Sequence, residues 1–200
     1  MTRTGRRSAQ GRAELGRGRC YSRPVRRPGP PAVVLAGLVL LASGLLGVSP
    51  ASARGPLPAG RNPSLISQMV CRPKAQREIA GVLGLTARVS RPTWIDHLYS
   101  CRYQYRNGAF ALSVKELSSW SATRDYFANL GRQLGNTQSV SGLGQGAFET
   151  ADGSLVVRKD YKVLLVDISG LPAQFGRPPT SASDVGNTIG DLILGCWSGD

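Results

Sequence analysis

The chain has 200 residues and carries 25 Lys and Arg against 12 Asp and Glu, a formal net charge of +13 with a single His. Residues 1–53 hold nine Arg and one Glu, so the remaining 147 residues carry a net charge of only +5. With most of the basic surplus in the N-terminus, nucleic acid is not the expected partner of the remainder, and that length suits one domain with its own core.

Residues 31–53, PAVVLAGLVLLASGLLGVSPASA, form an apolar run preceded by Arg23, Arg26 and Arg27 and closed by Ala51-Ser52-Ala53. A charged n-region, an apolar core and a small-x-small end are the layout of a secretory signal peptide. The alternative is an uncleaved N-terminal anchor, since the run approaches the ~20 residues that span a bilayer. Against it, Gly37, Ser43, Gly44, Gly47, Ser49 and Pro50 loosen the second half, and no run of Lys and Arg follows. The expected organisation is a signal peptide with an over-long basic n-region over 1–53, a flexible linker over 54–63 and a single domain over 64–200. The mature protein is expected outside the cytoplasm, free or associated with the cell wall. No Cys follows the apolar run to take a lipid, so cleavage leaves no stable membrane anchor.

Residues 64–84 read as helical with a restart at Pro73; Ile66, Met69 and Val70, then Ile79, Val82 and Leu83, keep helical spacing, and Gly84 is the stop. Residues 86–100 read as irregular. In CRYQYRNGAFALSVKEL, Asn107-Gly108 lies between two alternating runs and predicts a hairpin. A two-residue loop there pairs Tyr105 with Phe110, Tyr103 with Leu112 and Cys101 with Val114, all on one face. Residues 121–134 predict a helix with Ser121 as N-cap, a stripe of Tyr126, Phe127, Leu130 and Leu134, and Gly135 as its end. Asp152-Gly153 predicts a second hairpin pairing Phe148 with Val157 and Thr150 with Leu155. Val163–Ser169 reads as a further strand. After a Pro/Gly loop, Val185, Ile189, Ile193 and Cys196 share one face of a last helix. The order α-β-β-α-β-β-β-α predicts an α+β domain: an antiparallel sheet of about five strands with three helices packed mainly on one face.

With Cys20 removed in the leader, Cys71, Cys101 and Cys196 remain. An oxidising compartment predicts one disulfide and one leftover thiol. Cys71–Cys101 is the preferred pair and Cys101–Cys196 its rival; Cys196, on an apolar stripe, reads as a small buried hydrophobe.

Catalytic constellations are not evident. His97 stands beside Asp96 in a Trp-containing segment, but no nucleophile elbow accompanies it. Gly142-Leu-Gly-Gln-Gly146 leads toward a strand, whereas phosphate-cradling loops open a helix. Lys115-Glu116 and Arg158-Lys159-Asp160 fit solvated sheet positions. Arg102, Gln104, Arg106 and Lys115 make the polar face of the first hairpin basic, which a solvated face explains without a ligand. Trp94, Trp120 and Trp197 read as core or rim aromatics. No residue set suggests a cofactor or a metal.

"MVC" (Met69 to Cys71), "YSCRYQY" (Tyr99 to Tyr105), "SGLGQGAF" (Ser141 to Phe148), "VRKDYKVLLVDISGLP" (Val157 to Pro172) and "GCW" (Gly195 to Trp197) run in this order. The arrangement resembles small exported actinobacterial proteins of unknown function, and is similar to the LpqN-like (Mog1/PsbP-like) envelope domains. The resemblance implies a helix-on-sheet module that binds or senses, with no active site to transfer. The expected function is therefore a secreted, non-enzymatic binding or sensor-like module of the bacterial cell envelope, whose partner is an envelope component or a protein. A first alternative is an apolar-ligand carrier whose cavity between helices and sheet is lined by Tyr103, Tyr105, Phe110 and Phe127. A second is a secreted hydrolase using His97.

Overall fold

Pro73 has no N–H to donate and fixes its own φ, so it begins a helix rather than continuing one. In a computed structural model, which describes residues 60–197, α1 (Leu65–Met69) therefore stops short of it and α2 (Pro73–Leu83) starts on it. The expected signal peptide and residues 54–59 of the expected linker lie outside the described residues. Ser64 caps α1, its Oγ accepting from Ser67 N at 3.2 Å. Gly84 closes α2 at φ +62°, the left-handed geometry that glycine takes most readily.

The segment expected to be irregular instead forms β1 (Arg88–Val89) and β2 (Thr93–Ile95), both paired with the outer edge of β3 (Leu98–Tyr105). The β2–β3 turn is Asp96-His97, with φ of +50° and +59° at its two residues. Asp and His are among the few non-glycine residues that visit this region.

β3 pairs with β4 (Gly108–Glu116) as the first predicted hairpin, but the register differs by two. Tyr103 opposes Phe110, Cys101 opposes Leu112 and Tyr99 opposes Val114, because the two loop residues are Arg106-Asn107 and Gly108 is already paired with Tyr105. Gly108 serves a close approach: a Cβ there would stand 2.9 Å from the Gly170 carbonyl oxygen. A shift of two keeps every side chain on its face, and Cys101, Tyr103, Tyr105, Phe110, Leu112 and Val114 are all buried.

α3 (Trp120–Leu134) is capped by Ser119 rather than Ser121, with Ala122 N donating to Ser119 Oγ at 3.1 Å. Beyond it β5 (Asn136–Val140), not foreseen as a strand, pairs with β6 (Gly146–Thr150). β7 (Leu155–Lys159) and β8 (Lys162–Asp167) complete the sheet. Here the expected register is off by one. Phe148 opposes Val156 and Glu149 opposes Leu155, because Thr150 N donates to the Ser154 carbonyl at 2.9 Å and leaves three residues in the turn, with Gly153 at φ +83°. Last come a short ribbon of β9 (Gln174–Phe175) and β10 (Thr180–Ser181), then α4 (Ala182–Cys196), capped by Ser181 and Asp184.

The domain is α+β. Its antiparallel sheet has eight strands in the order β1-β3-β4-β8-β7-β6-β5, with β2 alongside β1 on the β3 edge, and four helices are described. Both counts exceed the expected five strands and three helices. As expected, the helices lie mainly on one face, that of α1, α2 and α4, with α3 on the other. Ala75, Ile79 and Leu83 of α2 and Val185, Ile189 and Ile193 of α4 pack on Tyr103, Leu112, Leu155, Leu164 and Val166. Tyr126, Phe127 and Leu130 of α3 cover Phe148, Val156 and Val163 on the opposite side. Strands β7 and β8 are thus covered on both faces, which is why LVV and VLLV are apolar without alternation.

The predicted Cys71–Cys101 disulfide is present, with the two Cα atoms 6.0 Å apart, and joins the α1–α2 junction to β3. The rival Cys101–Cys196 pair is thereby excluded. Cys196 is half-buried, with Sγ 3.5 Å from Glu78 Oε2. It is not the leftover buried thiol expected of it, since no cysteine among the described residues is free.

Candidate functional site

Of the four aromatics expected to line one cavity, the fold gathers Tyr103, Tyr105 and Phe110 on one side of the sheet and sets Phe127 on the other. Tyr103 and Phe110 stack at 4.7 Å in the core, and Tyr103 Oη donates to the Val70 carbonyl at 2.6 Å. Phe127 lies on the other side of the sheet, edge-on to Phe148 at 5.0 Å. Tyr105, the last residue of β3, stacks on Phe110 at 5.9 Å in the same core as Tyr103.

Tyr105 lines a cleft of about 430 Å³ at the end of the sheet that carries the β3–β4 turn. Its walls come from that turn (Arg106, Asn107), from the chain leaving α2 (Leu85, Thr86) and from the segment Gln174–Arg177 with Pro179. Three local features hold them together. The Arg177 N–H donates to the Leu83 carbonyl at 2.8 Å, tying the loop to the end of α2. Phe175, buried, meets Tyr105 edge-on at 4.9 Å. The short β9–β10 ribbon fixes the direction of the loop before α4 begins.

The electrostatics of this cleft are one-sided. Arg106 and Arg177 both stand exposed on its rim, and neither is in an ion pair among the described residues. The Tyr105 hydroxyl is buried and has no hydrogen-bond partner among the described residues. Burial pushes its phenol up to about 12, so it is a neutral donor at any ordinary pH. A buried hydroxyl left without a partner costs about 1–3 kcal/mol, which makes it a feature in need of a reason. Two guanidiniums and the amides of Asn107 and Gln174 form a donor-rich lining around the Tyr105 and Phe175 side chains. Such a lining suits an acid oxygen, whether carboxylate or phosphate.

The other sequence candidates are dispersed. His97 sits exposed at the tip of the β2–β3 turn, its ring edge-on to Trp94 at 5.6 Å, and its carbonyl accepts from Glu116 N at 2.9 Å. Gly142–Gly146 connects β5 to β6, with Gln145 N donating to the Arg158 carbonyl at 2.8 Å. Of the basic hairpin face, Lys115 Nζ reaches the Asp96 carbonyl and lies over the Tyr126 ring at 5.7 Å. Gln104 Nε2 donates to the Gly108 carbonyl at 3.2 Å, and only Arg106 joins the cleft. Glu116 is buried and accepts from Ser64 N at 2.8 Å and from Ser67 Oγ, a structural task. Residue reasoning missed Gln174, Phe175 and Arg177; the one available signal was a lone Phe inside a Pro/Gly-rich loop.

Among the described residues no group of three His, Cys, Asp or Glu side chains converges, and no helix is long and apolar enough to cross a membrane. Searches of protein-family models, curated proteins and solved structures return no match to the chain.

Proposed function

We propose that this chain is an exported, non-enzymatic binding module of the bacterial cell envelope, and that its ligand is an acid seated in the cleft between Tyr105, Arg106 and Arg177. Export rests on the n-region, apolar core and Ala51-Ser52-Ala53 end of the first 53 residues. The observation that carries the ligand class is a cleft lined by Tyr105, whose buried hydroxyl has no partner among the described residues, and rimmed by two arginines that are in no ion pair among them. Apolar walls with a few convergent polar groups are the usual build of a ligand seat, and about 430 Å³ admits a small molecule or the head of a larger one.

The recognition follows from the chemistry. The guanidiniums steer an acid toward the rim and bind its oxygens in charge-assisted pairs. The phenol then donates to an oxygen, recovering the partner that it lacks in the free protein. Nothing in this sequence of events breaks a covalent bond.

The test is calorimetric titration of the mature chain, begun at Arg54, at low ionic strength with inorganic phosphate, acetate and sn-glycerol 3-phosphate. Saturable binding of at least one is expected, weakened about tenfold or more by Arg106→Ala and by Arg177→Ala, since a charge-assisted hydrogen bond is worth about 1.5–3 kcal/mol. Binding that is equally tight in the double arginine variant, or absent with all three acids, would overturn the reading.

A further inference from the structure

At the opposite end of the sheet, the β7–β8 turn Asp160-Tyr161 meets the start of α3 and the β5–β6 loop. Trp120 and Tyr161 are large aromatics standing 40% and 38% exposed, and their rings meet edge-on at 6.0 Å. Together with Gln145 and Asp160 they line a pocket of about 300 Å³. Core packing does not account for this pair, because the α3 stripe that seals the sheet consists of Tyr126, Phe127 and Leu130.

The pocket is built from beneath. The Arg158 guanidinium lies over Trp120 at 5.0 Å and over Phe127 at 5.6 Å. Its Nη2 donates to the Gln145 carbonyl at 2.7 Å. This arginine holds Trp120 and the β5–β6 loop without joining the pocket lining, and its buried Nε has no partner among the described residues. Gln145 Oε1 accepts from Asp160 N at 2.6 Å, which leaves the Gln145 amide nitrogen as a donor. Asp160 holds a φ of +49°, and its Oδ2 is buried with no partner among the described residues. A positive φ costs energy, and such strain collects at binding sites.

We infer that the pocket of Trp120, Gln145, Asp160 and Tyr161 is a second binding site, and that its ligand is a neutral pyranose sugar. A pyranose presents a face of C–H bonds that packs on an indole ring and an edge of vicinal hydroxyls. Each hydroxyl both donates and accepts, so one of a pair donates to the Asp160 carboxylate while its neighbour accepts from the Gln145 amide. An acid is disfavoured by the Asp160 charge, and a purely apolar ligand leaves Asp160 Oδ2 unanswered. The inference is independent of the cleft at Tyr105, since the two sites share no residue.

The experiment is a titration of the full mature chain, followed by the indole N–H signals in proton–nitrogen NMR. The probes are D-glucose, D-galactose, D-mannose, N-acetyl-D-glucosamine and their β-linked dimers. Trp94 and Trp197 are internal controls, the first donating from Nε1 to the Arg61 carbonyl at 2.8 Å and the second 2% exposed. At least one sugar is expected to move the Trp120 signal saturably, with a Kd of about 1–10 mM, and to leave the other two in place. Trp120→Ala should abolish binding. Asp160→Asn, whose new side chain tolerates the same positive φ, should weaken it about tenfold while the remaining spectrum shows an intact fold. High salt should leave the affinity unchanged, unlike that of an acid in the Tyr105 cleft. No movement of Trp120 with any probe at about 100 mM, or full affinity in Asp160→Asn, overturns the inference.

Discussion

Tyr103 and Tyr105 stand two residues apart on the same face of β3, and the hydroxyl of the first reaches the Val70 carbonyl at 2.6 Å while that of the second reaches no partner among the described residues. Both are buried and both phenols are raised by desolvation. Their positions in the sheet separate their tasks. Tyr103 faces the end of α1 and fastens it; Tyr105 is one step from the turn, where the cover of helices gives way to the cleft.

Removing each hydroxyl should therefore change stability with opposite outcomes. Tyr103→Phe leaves the Val70 carbonyl unanswered in the core and should cost about 1–2 kcal/mol. Tyr105→Phe deletes a hydroxyl that has nothing to lose, and stability should stay level or rise by up to about 1 kcal/mol. Urea unfolding at pH 7 measures both. A loss in Tyr105→Phe equal to that in Tyr103→Phe would mean that the Tyr105 hydroxyl is already satisfied in the free protein.

The same corner carries the disulfide. Cys101 is two residues before Tyr103, and Cys71 follows Val70, so covalent and hydrogen-bonded fastenings act on one junction. Closing a loop over a separation of 30 residues constrains the unfolded chain by about 3–4 kcal/mol in the entropy treatment. The double variant Cys71→Ala, Cys101→Ala should lose about 2–4 kcal/mol. Because the two fastenings share a junction, adding Tyr103→Phe to it should cost measurably more or less than the sum of the parts. Strict additivity in the double-mutant cycle would separate the two fastenings.

The first hairpin was legible because β3 and β4 alternate: Arg102 and Gln104 face water while Cys101, Tyr103 and Tyr105 face the core. That pattern fixes the face but leaves a register shift of two open, and Gly108 was the residue that misled, since its small size answers the Gly170 backbone rather than the turn. In β7 and β8 the apolar run continues on both faces, so it carries no face information, and the one-residue difference around Phe148 follows from that. The Asp96-His97 turn has no glycine to announce it. Two members of the cleft, Tyr105 and Arg106, were visible as residues on the hairpin. Gln174, Phe175 and Arg177 were not, because a Pro/Gly loop has no period and only the ribbon of β9 and β10 brings it to the sheet end.

Gly81 in α2 and Gly84 just past its end illustrate how position decides the sign of one substitution. Gly81 is exposed in the helix, and a Cβ there meets nothing within 4 Å. Gly81→Ala should raise stability by about 0.5–1 kcal/mol. Gly84, three residues on, has φ +62°, and a Cβ there would come within 2.4 Å of the Arg177 carbonyl oxygen. Gly84→Ala should cost about 2–3 kcal/mol, and by displacing Arg177 it should also weaken acid binding in the cleft. A mild Gly84→Ala with unchanged binding would detach the α2 terminus from the cleft wall.

The raised phenols give the domain an alkaline limb. A group whose folded pKa exceeds its unfolded value of about 10 stabilises the fold fully below that pH. The contribution is then lost as pH rises through the folded value, which burial places at about 12 for Tyr105. Burial together with the neighbouring Tyr105 raises Tyr103 as well. Stability should thus decline from about pH 10 upward, and the tyrosinate absorbance of these two rings should emerge only with that decline. Burial raises Tyr99 and Tyr126 too, so Tyr105→Phe removes one of four raised phenols and should make the decline shallower without abolishing it. Urea midpoints for both proteins between pH 8 and 11.5, roughly the range over which the unfolded phenols ionise, test the point. Parallel slopes would assign the alkaline limb to groups other than Tyr105, and with it remove the reason to regard the hydroxyl as a neutral donor held for a ligand.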